Sequence, residues 1–470
     1  MNFLRRITPR FIISAYHYLL ALLGAVVFGF PSRRIAVIAV TGTKGKSSVV
    51  ELVSAILDEG GFRTAHASTI HFKIANKLER NLHKMTMPGR FFLQRFLRRA
   101  ARAGCTHAVI EMTSEGARQF RHKFIALDAL IFTNLAPEHI ESHGSYENYV
   151  ATKVSLAKAL EKSPEKSLPL ADSGTPFYKG RIKKLLVVNG DDAEAQKFLA
   201  VFSGTKVVYR KNDAVNPLVS PDGVSFELRA SDSRSLRESD ARMRIESNLP
   251  GEFNLYNILA AASYAKAAGI PIEKIQSGIA KVKSIRGRAE KITLESLTRS
   301  DLGQTRPDFT VIVDYAHTPD SLEKFYQTYA GKYRICVLGN TGGGRDKWKR
   351  PVMAGIAEKY CDEIILTNED PYDESPEQII REMAAGMGHT TRSADGAPPL
   401  LRGTKQPLLI LDRRAAIRAA LRKASKGDVV LITGKGTDPF IMGPHGAKEP
   451  WDDATVAREE LQKLHGQRNI

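Results

Sequence analysis

The stretch "AVTGTKGKSS" (Ala39–Ser48) constrains this chain more than any other part of it. It joins a short β-branched apolar run, Arg34–Val40, to a segment from Ser47 to Leu57 with helical spacing that stops at "DEGG". The first pattern predicts a buried parallel strand, and the second predicts a helix. The unit is therefore strand, glycine loop, helix. Gly42 and Gly45 let the backbone turn sharply and present N–H groups with no Cβ in the way. With the positive end of the helix, those groups form an anion cradle across Gly42, Thr43, Lys44, Gly45, Lys46, Ser47 and Ser48. In such a cradle Lys46 reaches the β/γ-phosphates and the Ser47 hydroxyl ligates Mg²⁺. The G-x-x-x-x-G-K-[ST] template is incompletely met, because its first glycine falls on Val40. The loop reads as a P-loop variant, and ATP is the expected ligand.

The length, 470 residues, suits roughly two or three domains. Cys105, Cys336 and Cys361 are far apart in sequence and show no zinc spacing. That pattern suits a reducing cytosol and excludes a disulfide framework. The net charge is +18, with much of it before residue 125. Arg95, Arg98, Arg99 and Arg102 recur at i+3/i+4 and share one helix face. No nucleic-acid module accompanies them, so nucleic acid is not an expected partner, and anionic lipid headgroups fit better. The run Phe11–Phe30 contains no Lys, Arg, Asp or Glu, with Arg5, Arg6 and Arg10 before it and Arg33 and Arg34 after it. Its length suits a membrane span, but positive charge on both flanks does not. Two readings remain open: a helix lying in or against the inner membrane face, and a helix packed on the first domain.

Strand and helix patterns alternate from residue 33 onward, with short β pieces over residues 206–248. A second series begins after Arg286–Ile292: "FTVIVDYA", "YRICVLGN", "EIILTNEDP", "PLLILD" and "DVVLITGKG". The expected fold is α/β. An apolar N-terminal helix (1–32) precedes a P-loop-containing central ATP-binding domain (33–286) and a Rossmann-like, doubly wound C-terminal domain (287–470). Ligands in such sheets bind at the carboxyl ends of strands, which here carry Asp314, His317, Asp370 and Gly434.

Three side chains stand out. Glu111 closes a strand expected to neighbour the loop strand, which suits a Mg²⁺ ligand or a solvated strand end. His139 follows the next strand, with His143 close by, and position alone does not choose between them. Lys153 shares a helical stripe with Tyr146, Val150 and Ala157. Spacing alone favours its snorkelling to solvent.

The segments "VTGTKGKSS", "VIEMTSEG", "FTNLAPEHIESHG", "YVATK", "FNLYNILAA", "GRAEKI", "VDYAHTPDSL", "GGGRDKWKRP" and "TGKGTD" occur in the order seen in the Mur ligase family. The pattern most resembles its tripeptide synthetases, which add the third residue of the peptidoglycan stem peptide. The resemblance runs from about residue 35 to the end. It implies a cytoplasmic ligase that uses ATP to activate the carboxylate of a muramyl dipeptide and joins a free amino acid to it; the sequence does not reveal the oligomeric state, and a monomer is the expectation. It also implies Mg²⁺ held by Ser47 and Glu111, a second metal at His139, and CO₂ carried as a carbamate on Lys153. Asn254 and Asn257 fall at adenine-side positions, and Arg288, Asp314 and His317 are the C-terminal domain's contribution to ATP. Thr86, Thr113, Gln119 and Arg121 match acceptor contacts. Arg345 matches the arginine that grips the incoming carboxylate, and Asp438 the acid facing a distal amine.

Three departures follow. The family's N-terminal uridine-binding domain is missing from the pattern, so a membrane-proximal enzyme and a lipid-linked acceptor come into view. The diaminopimelate signature D-N-P-R reads Glu369-Asp370-Pro371-Tyr372, which predicts lysine or ornithine instead. "GRAE" replaces the more usual G-R-M-E. The alternatives are a folylpolyglutamate synthase-like or amino-acid polymer ligase, and a membrane-tethered nucleotide-binding protein without ligase activity.

Overall fold

The computed structural model describes residues 9–138, 140–166, 182–229, 242–293, 309–344, 346–388 and 406–468. The chain divides into two compact units, the first reaching Lys283 and the second running from Ser284 to Ile470, with the short segments 220–222 and 249–251 counted in the second.

The first unit is built on an eight-stranded sheet in the order β4-β3-β2-β5-β1-β6-β7-β8. Its strands are β1 (Ala36–Thr41), β2 (Thr64–Ala67), β3 (His71–Ile74), β4 (Lys77–Arg80), β5 (His107–Glu111), β6 (Ala129–Phe132), β7 (Leu185–Asn189) and β8 (Thr205–Tyr209). The six strands from β2 to β8 are parallel, while β3 and β4 add an antiparallel edge. All six residues of β1 are buried, as a strand covered on both faces requires. Ile35, Val37 and Ala39 share one core with Leu93, Phe96 and Leu97 of the helix Arg90–Arg102 and with Val150, Val154 and Ala157 of the helix Tyr146–Glu161. The helix Lys46–Glu59 meets the helix Ile272–Lys281 closely, since a Cβ on Gly278 would lie 2.5 Å from Ile56 Cα. A separate three-stranded sheet, in the order β11-β10-β9, holds β9 (Ala214–Ser220), β10 (Gly223–Arg229) and β11 (Arg242–Ser247).

The helix Arg10–Phe28 packs on the helix Arg90–Arg102 with Ala21 and Ala25 buried. Its outer side exposes Leu19, Leu23 and Val26. The helix is thus packed on the first unit along one face and exposes apolar side chains along the other. Among the described residues no helix is long and apolar enough to cross a membrane.

The second unit carries a six-stranded sheet in the order β12-β13-β17-β14-β15-β16. Its strands are β12 (Glu290–Lys291), β13 (Thr310–Val313), β14 (Arg334–Leu338), β15 (Glu363–Leu366), β16 (Leu408–Leu409) and β17 (Val429–Ile432). Only β12 is antiparallel, at the edge. A hairpin of β18 (Phe440–Met442) and β19 (Lys448–Pro450) follows.

One expectation is overturned. Cys336 and Cys361 form a disulfide, with Cα atoms 6.1 Å apart. Sequence separation misled because β14 and β15 are neighbours in a parallel sheet. The intervening helix Lys349–Tyr360 returns the chain to where it started, with Cys361 at its C-terminal end. Cysteine usage thus gives no argument for a reducing compartment, and Cys105 is the free, buried thiol.

Candidate active site

In the first unit the loop Gly42–Gly45 leaves the end of β1 and opens the helix Lys46–Glu59. Gly42 and Gly45 adopt φ of 149° and 82°. A Cβ on Gly42 would lie 1.9 Å from Thr133 Oγ1, and one on Gly45 would lie 2.2 Å from Asn257 Oδ1. Both positions thus need glycine for conformation and for space. The loop is pinned from β6: Lys44 N donates to Asn134 Oδ1 at 2.9 Å, and Thr133 Oγ1 donates to Lys44 O at 2.7 Å. Thr43 Oγ1 lies 2.9 Å from Tyr149 Oη and accepts from Ala136 N at 3.0 Å. Lys46 Nζ folds back onto the carbonyls of Gly42 and Thr43, at 3.1 and 2.8 Å. Lys44 pairs with Glu138 at 3.1 Å. Ser47 and Ser48 are buried in the first turn of the helix. Asn254 and Asn257 are buried and joined to each other, Asn257 Nδ2 donating to Asn254 Oδ1 at 2.9 Å.

Glu111 ends β5 directly opposite Val40 of β1. Its carboxylate is buried and accepts from Thr69 N at 2.8 Å and from Thr69 Oγ1 at 2.9 Å. Thr69 Oγ1 also lies 2.8 Å from Thr86 Oγ1. It is not a solvated strand end.

Lys153 does not snorkel. It is 2 % exposed, and its Nζ donates to Gly42 O at 2.6 Å. Burial, reinforced by the nearby Lys46 cation, holds the Lys153 ammonium well below the ordinary lysine range. The stripe of Val150 and Ala157 that carries it faces the core, so the lysine is carried under the loop rather than outward.

Thr113 caps the helix Ser114–Arg118, its Oγ1 accepting from Gly116 N at 3.0 Å. Arg121 donates to Met87 O and, at 2.8 Å, to Gln119 Oε1. Arg90 donates to Gln119 O at 2.8 Å. His143 Nε2 lies 3.1 Å from Ser114 Oγ. The expected metal ligand His139 and the expected carboxylate clamp Arg345 lie outside the described residues.

In the second unit Asp314 Oδ2 accepts from Ala289 N at 2.7 Å, and Arg288 stacks over the Tyr315 ring at 4.8 Å. His317 Nδ1 lies 2.7 Å from Tyr315 O. These three expected residues are therefore gathered at the carboxyl end of β13. A second group forms around Lys435, whose Nζ is 2.9 Å from Asp370 Oδ1, 3.1 Å from Asp438 Oδ2, and donates to Phe440 O at 2.6 Å. Gly434 has φ of 105° and sits against Glu369, where a Cβ would lie 2.4 Å from Oε2. Burial, with the Asp370 charge beside it, raises the Glu369 carboxyl above the usual range. Tyr372 takes φ of 53°, its N–H donating to Met442 O at 2.9 Å. Buried Asp453 holds this loop, accepting from Gly436 N at 3.0 Å and taking both arms of Arg413 at 2.7 and 2.8 Å.

Sequence reasoning missed Thr69, Tyr149 as a hydrogen-bonding group, and Lys435. Only the last carried a signal, a lysine between two glycines after an apolar strand.

With this geometry in view, the comparisons are decisive. The Mur ligase middle domain matches residues 40–265, and the Mur ligase glutamate ligase domain matches residues 298–436. The chain belongs to the Mur ligase family. Its relatives include a UDP-N-acetylmuramyl-tripeptide synthetase from Roseiflexus sp. (strain RS-1), 35% identical, covering 95% of this chain and 82% of that protein. Another is a UDP-N-acetylmuramoyl-L-alanyl-D-glutamate–2,6-diaminopimelate ligase from Syntrophomonas wolfei, 34% identical, covering 94% and 81%. A solved ligase of the latter name superposes with a TM-score of 0.57 at 26% identity, over 92% of this chain and 79% of that one. Mycobacterium tuberculosis folylpolyglutamate synthase, solved with ADP and AMPPCP, gives 0.63 at 17% identity, over 96% and 95%, and shares the fold. This Mur ligase is thus an ATP-dependent amide ligase with parallel α/β sheets.

Proposed function

We propose that this Mur ligase joins an amino acid to the peptide carboxylate of a muramyl dipeptide in the cytoplasm. The carboxylate attacks the γ-phosphorus of ATP, giving an acyl phosphate and ADP. The amine of the amino acid then attacks the acyl carbon, phosphate leaves with the C–O electron pair, and the amine loses a proton as the amide forms. The protein's part is positioning and charge neutralisation. The N–H groups of Gly42–Gly45 and Lys46 bind the phosphates, with Asn254 and Asn257 at the adenine side and Arg288, Asp314 and His317 as the second unit's share. Thr86, Thr113, Gln119 and Arg121 hold the acceptor, and Arg345 grips the incoming carboxylate.

The observation that carries this reading is Lys153, buried beside the loop with its charge disfavoured. A neutral amine is the form that takes up CO₂, becoming a carbamate anion and releasing a proton. Among the described residues no cluster of three His, Cys, Asp or Glu side chains could hold a metal ion. Ser47, Glu111 and His139 would hold Mg²⁺ together with a carbamate on Lys153 and the nucleotide's own oxygens. When bound, the metal shields phosphate charge. Phosphate release that requires acceptor and amino acid together tests the ligase reading. Release from ATP needing neither would support a nucleotide-binding protein instead.

For the amino acid, Asp370 and Asp438 set two carboxylates against the one ammonium of Lys435, and Tyr372 stands where a second arginine would be needed. An excess of carboxylates favours a basic distal group and disfavours a second carboxylate. We therefore assign lysine or ornithine over diaminopimelate. A competition assay that incorporates diaminopimelate first would overturn this. The 31–35% identity to muramyl-peptide ligases favours that acceptor over the folate type.

A further inference from the structure

The helix Arg10–Phe28 has two unlike faces. On the inner face, Ala21 and Ala25 are buried, and a Cβ on Gly24 would lie 3.7 Å from the Arg90 backbone. Arg98 Nη1 donates to Phe28 O at 2.8 Å, satisfying a carbonyl that the helix end leaves open. On the outer face, Ile12, Tyr16, Leu19, Leu23, Val26 and Val27 recur at three- and four-residue steps and are each 46–61% exposed. With 19 residues, the helix is about 28 Å long. A continuous exposed apolar stripe of that length marks an interaction surface.

The charges around it say what covers it. No Asp or Glu occurs between Met1 and Val50, or between Asn81 and Ile110. Arg33 and Arg34 are exposed where the helix ends, and Arg95, Arg99 and Arg102 are exposed on the helix that supports it. Arg99 has one carboxylate near it, Glu79 at 3.8 Å, in an exposed pair worth little. A second copy of this face would bring like charges together. An anionic lipid surface satisfies the stripe and the arginines at once.

We propose that the helix Arg10–Phe28 lies flat on an anionic bilayer, with its stripe in the headgroup–acyl boundary and the flanking arginines among the headgroups. Spanning is excluded by the packed inner face. The same helix touches the segment proposed to hold the acceptor. Tyr18 packs edge-on against Phe120 and Phe124, with ring centroids 6.0 and 5.2 Å apart, and Arg90 links His17 at 2.6 Å to Gln119 O. Docking would therefore hold Gln119–Phe124 beside the membrane.

The test is flotation of the full chain with vesicles of phosphatidylcholine alone or with phosphatidylglycerol added, and it does not depend on ligase activity. Binding is expected only to the anionic vesicles, and it should weaken as salt is raised. Leu19→Glu with Leu23→Glu should lower the bound fraction about tenfold or more without lowering the melting temperature, because both side chains leave a solvated face. Arg95→Glu with Arg99→Glu should weaken binding chiefly at low salt. Absence of flotation on anionic vesicles, or flotation unchanged by the leucine pair, would overturn the proposal. So would a wild-type dimer that the leucine pair converts to monomer, since that assigns the stripe to a second copy.

Discussion

Each unit buries a lysine beside a glycine loop at a strand end, and the two are treated in opposite ways. Lys435 in the second unit is 1 % exposed and sits between two carboxylates, Asp370 and Asp438. Lys153 in the first unit is equally buried, yet its Nζ donates to a backbone carbonyl and makes no ion pair among the described residues. A buried cation is stable when paired and gives up its proton when it is not. Lys435 ties Asp370, Asp438 and Phe440 O together and so organises its loop. Lys153 is an amine whose charge is disfavoured by burial and by the nearby Lys46 cation.

The largest expected effect falls on activity in the first unit. Lys46→Ala or Lys153→Ala should cut acceptor-dependent phosphate release about a thousandfold. A short added carboxylic acid should restore part of the Lys153→Ala loss, because it returns an anion to the cavity. Stability should show the reverse order. Lys435→Met leaves Asp370 and Asp438 buried without their partner and should cost about 3–5 kcal/mol in denaturant unfolding. Lys153→Met removes one hydrogen bond to a backbone carbonyl and no ion pair, and should cost only about 1 kcal/mol. Equal losses from the two methionine variants would break the comparison.

Acid should separate the units next. Burial pushes His107 and His122, both in the first unit, down to about 4. They stay neutral in the fold while the unfolded chain takes up protons near the ordinary histidine value. Their contribution is complete above about pH 6.5 and is lost as pH falls toward 4, at roughly 3 kcal/mol each. In the second unit, hydrogen bonding from Arg418 holds Glu460 down to about 2, so its contribution is lost only as pH falls below the ordinary carboxylate range toward 2. Hydrogen exchange between pH 6.5 and 4.5 should show the first unit losing protection before the second. The smallest effect should come from Thr69→Val, which removes one hydroxyl donor to Glu111 but leaves the backbone one. It should lower kcat by about tenfold.

Local features of the site were legible in the sequence. Strand β1, the glycine loop and the helix after it are encoded within 25 residues, and the pairing of Glu111 beside Val40 follows from parallel-sheet logic. Contacts across long separations were not. Lys153 meets Gly42 from 111 residues away, and Lys435 meets Asp370 from 65. Thr69 reaches Glu111 only because the turn between β2 and β3 places it there. The Cys336–Cys361 pairing was hidden for the same reason, since a helical crossover erases 25 residues of separation. The N-terminal helix was legible as a helix, but its uniform apolarity did not show which side would be packed.

The most direct test of the account is ¹³C NMR of the intact protein in ¹³C-bicarbonate with MgADP present. A carbamate carbonyl signal is predicted in the wild type and absent in Lys153→Ala. Identical spectra for the two proteins would contradict the assignment of Lys153 as the anion-forming lysine.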